Sequence, residues 1–315
     1  MIIKEKLHIS RISWLSSSYD KKDSSGIINT FYEPESIEEL KNLCQNLYAQ
    51  KKDFLVIGHT SNLYFAPDCM VDIVVSTRRC TRYEMRDDSI YCECGVHVMK
   101  LSQQMCEEGV AGFDGLIDLP GTVASSIYGN SSAFGCSINS LLIKCEILLS
   151  DGTVKEFLPE DLKFTTRASA LKNGEIKGVI LSAVLRKTMG DEKTLCESAR
   201  INRQMRKDAL PGPAYNLGSI FRCSDKRTLV GNFVKYATKI YATVLKFMHY
   251  SQDDIKKKRL HFSIVLMGAR ELEPYIYGWN LYMWKDVTAH KFFPIFLKKH
   301  NKIFKNDSLE IEIIC

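Results

Sequence analysis

The chain has 315 residues, 45% of them hydrophobic and 25% charged, with a formal net charge of +6. This is the balance of a soluble folded protein long enough for two domains, with basic residues too scattered to indicate nucleic acid. No apolar run approaches the roughly 18 residues of a membrane span, no signal-peptide core follows the first residues, and eleven cysteines without a CxxC pair read as reduced thiols of a cytoplasmic protein.

In chain order, residues 16–26 (SSSYDKKDSSG) read as a polar loop. The segment PESIEELKNLCQNLYAQKK is a helix: Ser36 and Glu39 make a capping box, and Ile37, Leu40, Cys44 and Leu47 share one face. DFLVIG at 53–58 is a short strand, followed by the turn GHTSN and by LYF. VDIVVST at 71–77 and SIYCECG at 89–95 are further strands, and HVMKLSQQMCEEG is a helix stopped by Gly109. Residues 140–157 form a hairpin around Ser150-Asp151-Gly152, and GVILSAVLRK at 178–187 is a strand. Beyond residue 189 the pattern changes. A charged helix covers 190–209, PGPAYNLGSIFRC is a loop running into a strand or turn, and two further helices follow, the second kinked or interrupted at Pro294. KKKR at 256–259 reads as a solvated helix face and the Tyr/Trp cluster at 275–284 as core; SLEIEIIC is a terminal strand. No histidine stands at metal-ligand spacing with acids, so no metal is expected.

The stretch LIDLPGTVASSIYGNSSAFG, residues 116–135, is unusually small and polar. Glycine permits close backbone approach and φ > 0, and successive backbone N–H groups can cradle an anion. A long surface loop is the alternative reading. Together with the Gly-Ser turn at 58–62 it suggests a nucleotide held by backbone amides. No GxGxxG opens a βαβ unit, so a separate nicotinamide domain is not indicated.

Over most of residues 30–223 and the last ten, the sequence resembles the UDP-N-acetylenolpyruvoylglucosamine reductases, flavoproteins of the vanillyl-alcohol-oxidase (PCMH) type of FAD-binding fold. Four motifs carry the resemblance, in the same order as in that family. VIGHTSNLYF is similar to a strand and Gly-rich loop on the FAD pyrophosphate; Gly58, Ser61 and Asn62 match, with His59 and Thr60 in glycine positions. LPGTVASSIYGNSSAFG matches the flavin-facing segment at Pro120, Gly121, Thr122, Val123, Asn130, Ala133 and Gly135. FTTRAS supplies Arg167 but has Thr166 where the family has tyrosine, and LGSIFR supplies Gly218, Ser219 and Phe221. The terminal LEIEII places Glu312 at a family glutamate. Ala124, Ser125 and Ser126 replace Gly-Gly-Ala, and residues 224–305 lack the family's substrate-side elements.

The resemblance implies an α+β protein with a two-lobed FAD-binding domain over 1–189, split near 78, and a smaller α+β substrate-binding domain over 190–315. It implies non-covalent FAD held by Gly58, His59, Thr60, Ser61, Asn62, Pro120, Gly121, Thr122, Val123, Ser125 and Asn130. It implies catalysis by Arg167, Ser219 and Glu312, with NADPH as hydride donor, on an enolpyruvyl ether of a UDP-sugar in peptidoglycan synthesis. Arg167 and Glu312 would polarise the alkene through its carboxylate and Ser219 would supply the proton. The partner is a small nucleotide-sugar, not nucleic acid or a membrane interior. The alternatives are a paralogue of the same fold without turnover, or an oxidase.

Overall fold

The computed structural model describes residues 1–9, 26–66, 68–209, 216–222, 226–305 and 308–314. The expected polar loop at 16–26 and the PGPAY segment fall almost wholly outside these residues. The chain divides into two compact units. Unit 1 includes Met1–Ile9, Ile27–Ser61 and Met70–Leu210, and unit 2 includes Asn62–Cys69 and Pro211–Cys315.

Unit 1 begins with β1 (Ile2–His8) and β2 (Ile27–Glu33), paired antiparallel. Helix α1 (Ile37–Ala49) starts at Ser36, whose side chain accepts from the Glu39 backbone N–H; the Glu39 carboxylate reaches back to the Glu35 N–H, one residue before the expected place. β3 (Leu55–Ile57) follows, then β4 (Leu63–Phe65), which belongs to unit 2, and β5 (Met70–Ser76). The first sheet has the order β1-β2-β5-β3, with β5 parallel to both neighbours. A second sheet is antiparallel throughout, in the order β11-β10-β12-β7-β6. It is built from β6 (Tyr83–Met85), β7 (Ser89–Glu93), β10 (Leu142–Leu149), β11 (Val154–Phe157) and β12 (Gly178–Arg186). Between β7 and β10 lie α2 (Val98–Glu107), α3 (Val123–Tyr128), the small pair β8 (Ser132–Ala133) and β9 (Cys136–Ser137), and α4 (Ile138–Leu141). The buried face of α1 (Leu40, Cys44, Leu47) packs with Val75 of the first sheet and Leu148, Val179 and Leu181 of the second. Each fully buried leucine there contributes about 1.5–3 kcal/mol.

Helix α5 (Glu192–Ala209) also belongs to unit 1. Ser198 donates to an Asp114 carboxylate oxygen at 2.6 Å, and the Asn202 amide donates to the Asp114 carbonyl at 3.2 Å. The contact-based division therefore falls one helix beyond the expected boundary at 189: polar contacts tie α5 to the segment before α3, and helical periodicity carries no record of them.

Unit 2 contains β13 (Asn216–Ser219), β14 (Phe221–Arg222), α6 (Leu229–Phe247), α7 (Gln252–Leu266), β15 (Ile276–Gly278), β16 (Leu281–Met283), α8 (Val287–Ile303), β17 (Ser308–Leu309) and β18 (Glu312–Ile314). Its core gathers Tyr282, Trp284, Phe293 and Phe296, with Tyr64 stacked on Trp284 at 5.2 Å. The aromatic cluster is thus mainly core, and Tyr277 is its exposed member. Helix α8 runs through Pro294 without interruption. In the KKKR run, Lys256, Lys257 and Arg259 are exposed on α7. Among the described residues no helix is long and apolar enough to cross a membrane.

Candidate functional site

The two small-residue turns meet within unit 1. A Cβ on Gly58 would lie 3.0 Å from Thr122 Oγ1, and one on Gly121 would lie 2.9 Å from Ser125 Oγ and 3.5 Å from Ser61 Oγ. Gly121 also has φ +120°, a conformation open only to glycine. Segment 121–124 is pinned from one side. Val98 N donates to Gly121 O at 3.2 Å, Val123 N to Val96 O at 2.9 Å, and Ala124 N to Cys94 O at 3.1 Å.

The stretch read as a loop or nest contains α3. Thr122 is its N-cap: the Thr122 hydroxyl accepts from Ser125 N, and the Ser125 hydroxyl accepts from Thr122 N at 2.8 Å and donates to Thr122 O. Both hydroxyls are therefore committed to the backbone. Ala124 and Ser125, in former glycine places, sit in helical turns that tolerate a side chain.

His59 and His97 pack edge to face with ring centroids 3.8 Å apart. Burial first, then His97, Arg78 and Lys100, push His59 down to about 4, so it is neutral near pH 7. Burial, with Lys100 and Arg78, also lowers His97. Arg78 and Lys100 thus place positive charge near both imidazoles. His59 Nε2, Ser126 Oγ and Asn130 Oδ1 are buried without a hydrogen-bond partner. Orphaned polar atoms in and next to the two turns fit a polar cofactor such as FAD.

The far end of the stretch carries Arg167. The Asn130 amide donates to Thr165 O at 2.8 Å, and Ser169 Oγ donates to Tyr128 O at 2.8 Å. These bonds hold the loop whose apex is Arg167, at φ +59°. Thr166 beside it is exposed. Two arginines the sequence reading passed over join this region from α5. Arg203 grips Asp118 through two bonds of 2.9 and 3.2 Å. Arg206 lies 5.5 Å over the Phe134 ring, and its Nε is buried without a hydrogen bond. Burial lowers the Arg206 pKa, Asp118 opposes that, and the charge of Arg167 adds to it. The i, i+3 spacing of Arg203 and Arg206 on a charged helix was the available signal.

Ser219 and Glu312 lie in unit 2. Ser219 is exposed at the end of β13, paired with Leu281. The next residue, Ile220, accepts from Glu310 N at 2.8 Å, and Phe221 pairs with Leu309, so the Ser219 strand runs into the segment that leads to Glu312. β18 pairs parallel with β4, Glu312 opposite Leu63. Asn62 fastens this: its amide donates to Glu310 O at 2.9 Å, and its carbonyl accepts from Glu312 N at 2.9 Å. Asn62, expected on the cofactor, thus holds the glutamate-bearing strand. Pro120 is exposed and Val123 buried.

Residues 29–158 match the family of FAD binding domains. The chain is similar to UDP-N-acetylenolpyruvoylglucosamine reductases from Halalkalibacterium halodurans (27% identical over 62% of this chain and 65% of that protein) and Bacillus subtilis (27% over 60% and 62%). The reductase of that name from Carboxydothermus hydrogenoformans is 29% identical over 60% and 63%. The chain thus matches slightly under two thirds of the length of these relatives. Its fold is that of the UDP-N-acetylenolpyruvylglucosamine reductase of Thermus caldophilus, superposed over 100% of both chains with a TM-score of 0.69 at 16% identity.

Proposed function

We propose that the chain is an FAD-dependent reductase of an unsaturated, carboxylate-bearing substrate. The substrate is an enolpyruvyl ether on a UDP-sugar, and NADPH is the reductant. The observation that carries this is the arrangement in unit 1: glycine-lined turns with orphaned polar atoms, adjoining Arg167 and Arg206, whose like charges act on each other. The match to FAD binding domains and the similarity to reductases of this substrate class support the same reading.

In this reading Gly58, His59, Thr60, Ser61, Pro120, Gly121 and Asn130 form the cofactor cradle; Thr122, Val123 and Ser125, whose polar groups bond within the chain, fix its backbone, and Asn62 does its part through the strand it fastens. FAD supplies the two-electron exchange. Arg167 grips the substrate carboxylate and draws electron density from the alkene, and the positive charge of Arg206 adds to its field. Glu312 orients that end of the substrate. Ser219 donates a proton to the carbon that becomes basic, a step expected to contribute about 10² to 10⁴-fold.

Stopped-flow absorbance at the flavin band separates the two half-reactions. Ser219→Ala should leave flavin reduction by NADPH near wild type and slow reoxidation by substrate by roughly 10² to 10⁴-fold. Equal slowing of both halves reduces Ser219 to a shaping role. A second reading, an FAD-binding paralogue without turnover, is favoured by Thr166 in the family's tyrosine position. A yellow protein that NADPH bleaches but the enolpyruvyl substrate does not recolour would establish that second reading.

A further inference from the structure

Helix α6 carries an apolar stripe on its solvent side. Leu229, Phe233, Ile240 and Phe247 are 88%, 63%, 68% and 87% exposed, and Tyr236 and Val244 are also exposed. At 100° per residue these six fall in one sector about 80° wide that runs the helix's whole length, about 28 Å at 1.5 Å per residue. The opposite face, with Gly231, Val234, Thr238, Ala242 and Leu245, is buried in unit 2. Single exposed apolar residues are ordinary; a continuous stripe marks a contact surface.

The charges beside the stripe select its occupant. Lys235, Lys239 and Lys246 are exposed along one flank, and α6 contains no acidic residue. Residues 211–315 hold seventeen Lys and Arg against nine Asp and Glu, a net +8 (17 − 9), in a chain whose total is +6. A second copy pairing antiparallel through α6 would set lysine row against lysine row. Pairing parallel would leave the lysines facing Val230, Ala237 and Val244 with no counter-charge. A plane of anionic headgroups over hydrocarbon answers both parts of the pattern at once. We infer that the exposed face of α6 is a docking surface for an anionic lipid bilayer. The apolar row enters the headgroup boundary, the lysine row pairs with lipid phosphates, and the chain remains on one side of the membrane.

The test is sedimentation of the full chain with vesicles of phosphatidylcholine alone and of phosphatidylcholine mixed with phosphatidylglycerol. The protein should pellet with the anionic vesicles only and be released by high salt. Lys239→Gln with Lys246→Gln should weaken the partition about 30-fold. Phe233→Glu with Ile240→Glu should abolish it while leaving the circular dichroism spectrum and melting midpoint at parental values, because both side chains are exposed. The inference is overturned if the parent stays in the supernatant with anionic vesicles, or if either variant pellets as well as the parent. It is equally overturned if the parent forms a dimer in lipid-free buffer that Phe233→Glu dissociates, which would assign the face to a second copy.

Discussion

Gly121 shows how much one residue can fix. Its φ of +120° and the 2.9 Å approach to Ser125 Oγ both exclude a Cβ. Gly121→Ala should cost about 1–3 kcal/mol, read as a lower melting midpoint, and should reduce the FAD retained on purification. His59 gives a pH signature. Its folded pKa, about 4, lies below the ordinary 6.5, so between these values the unfolded chain binds the extra proton. Its contribution is complete above about 6.5 and is lost as pH falls toward 4, with a slope of up to about 1.4 kcal/mol per unit. His290, also lowered to about 4 by burial, acts in the same direction. Denaturant melts between pH 7 and pH 4 should therefore be flatter for His59→Gln, and an unchanged slope would contradict the burial argument. Gly58 and Gly121 were legible in the sequence because glycine is defined by its own backbone. Arg206 and His97 were not: their significance depends on Arg167 and His59, distant in the chain.

Among the elements, those with local chemistry could be read directly. The Ser36 cap, the 140–157 hairpin and Gly109 at φ +72° stand where the residues put them. Helix α3 was missed because six residues give only one apolar i, i+4 pair, Val123 and Ile127, too short a run to show a period, although Thr122 and Ser125 form a capping box. Ser125→Ala removes the hydroxyl that satisfies Thr122 N and should destabilise the protein by about 1 kcal/mol. Thermal unfolding monitored by circular dichroism would measure it, and a neutral result would mean that water replaces the hydroxyl. The strands β15 and β16, three residues each, are set by burial against Trp284 and Phe293 and by pairing across the sheet, neither of which a local pattern records.

At the scale of the whole molecule, the expected α+β fold stands, and residues 29–158 match FAD binding domains; the first two of the four motifs lie within that match. The division of the chain was harder to read, because it is decided by contacts across long separations. Asn62–Cys69 is enclosed in sequence by unit 1 yet belongs to unit 2, and β4 finds its partner in β18. This threading has a temporal consequence. The bond from the Asn62 amide to Glu310 O joins residues 248 apart in sequence, and synthesis at about 5–20 residues per second leaves β4 an unpaired edge for tens of seconds. Closing so long a loop belongs late in folding, after the local hairpins and helices. Asn62→Ala should then speed unfolding and leave the refolding rate almost unchanged, as for a contact absent from the transition state. Chevron kinetics would reveal this, and slowed refolding would instead mean that the parallel pair forms early. A nascent chain halted before β18 should be the species that chaperones capture.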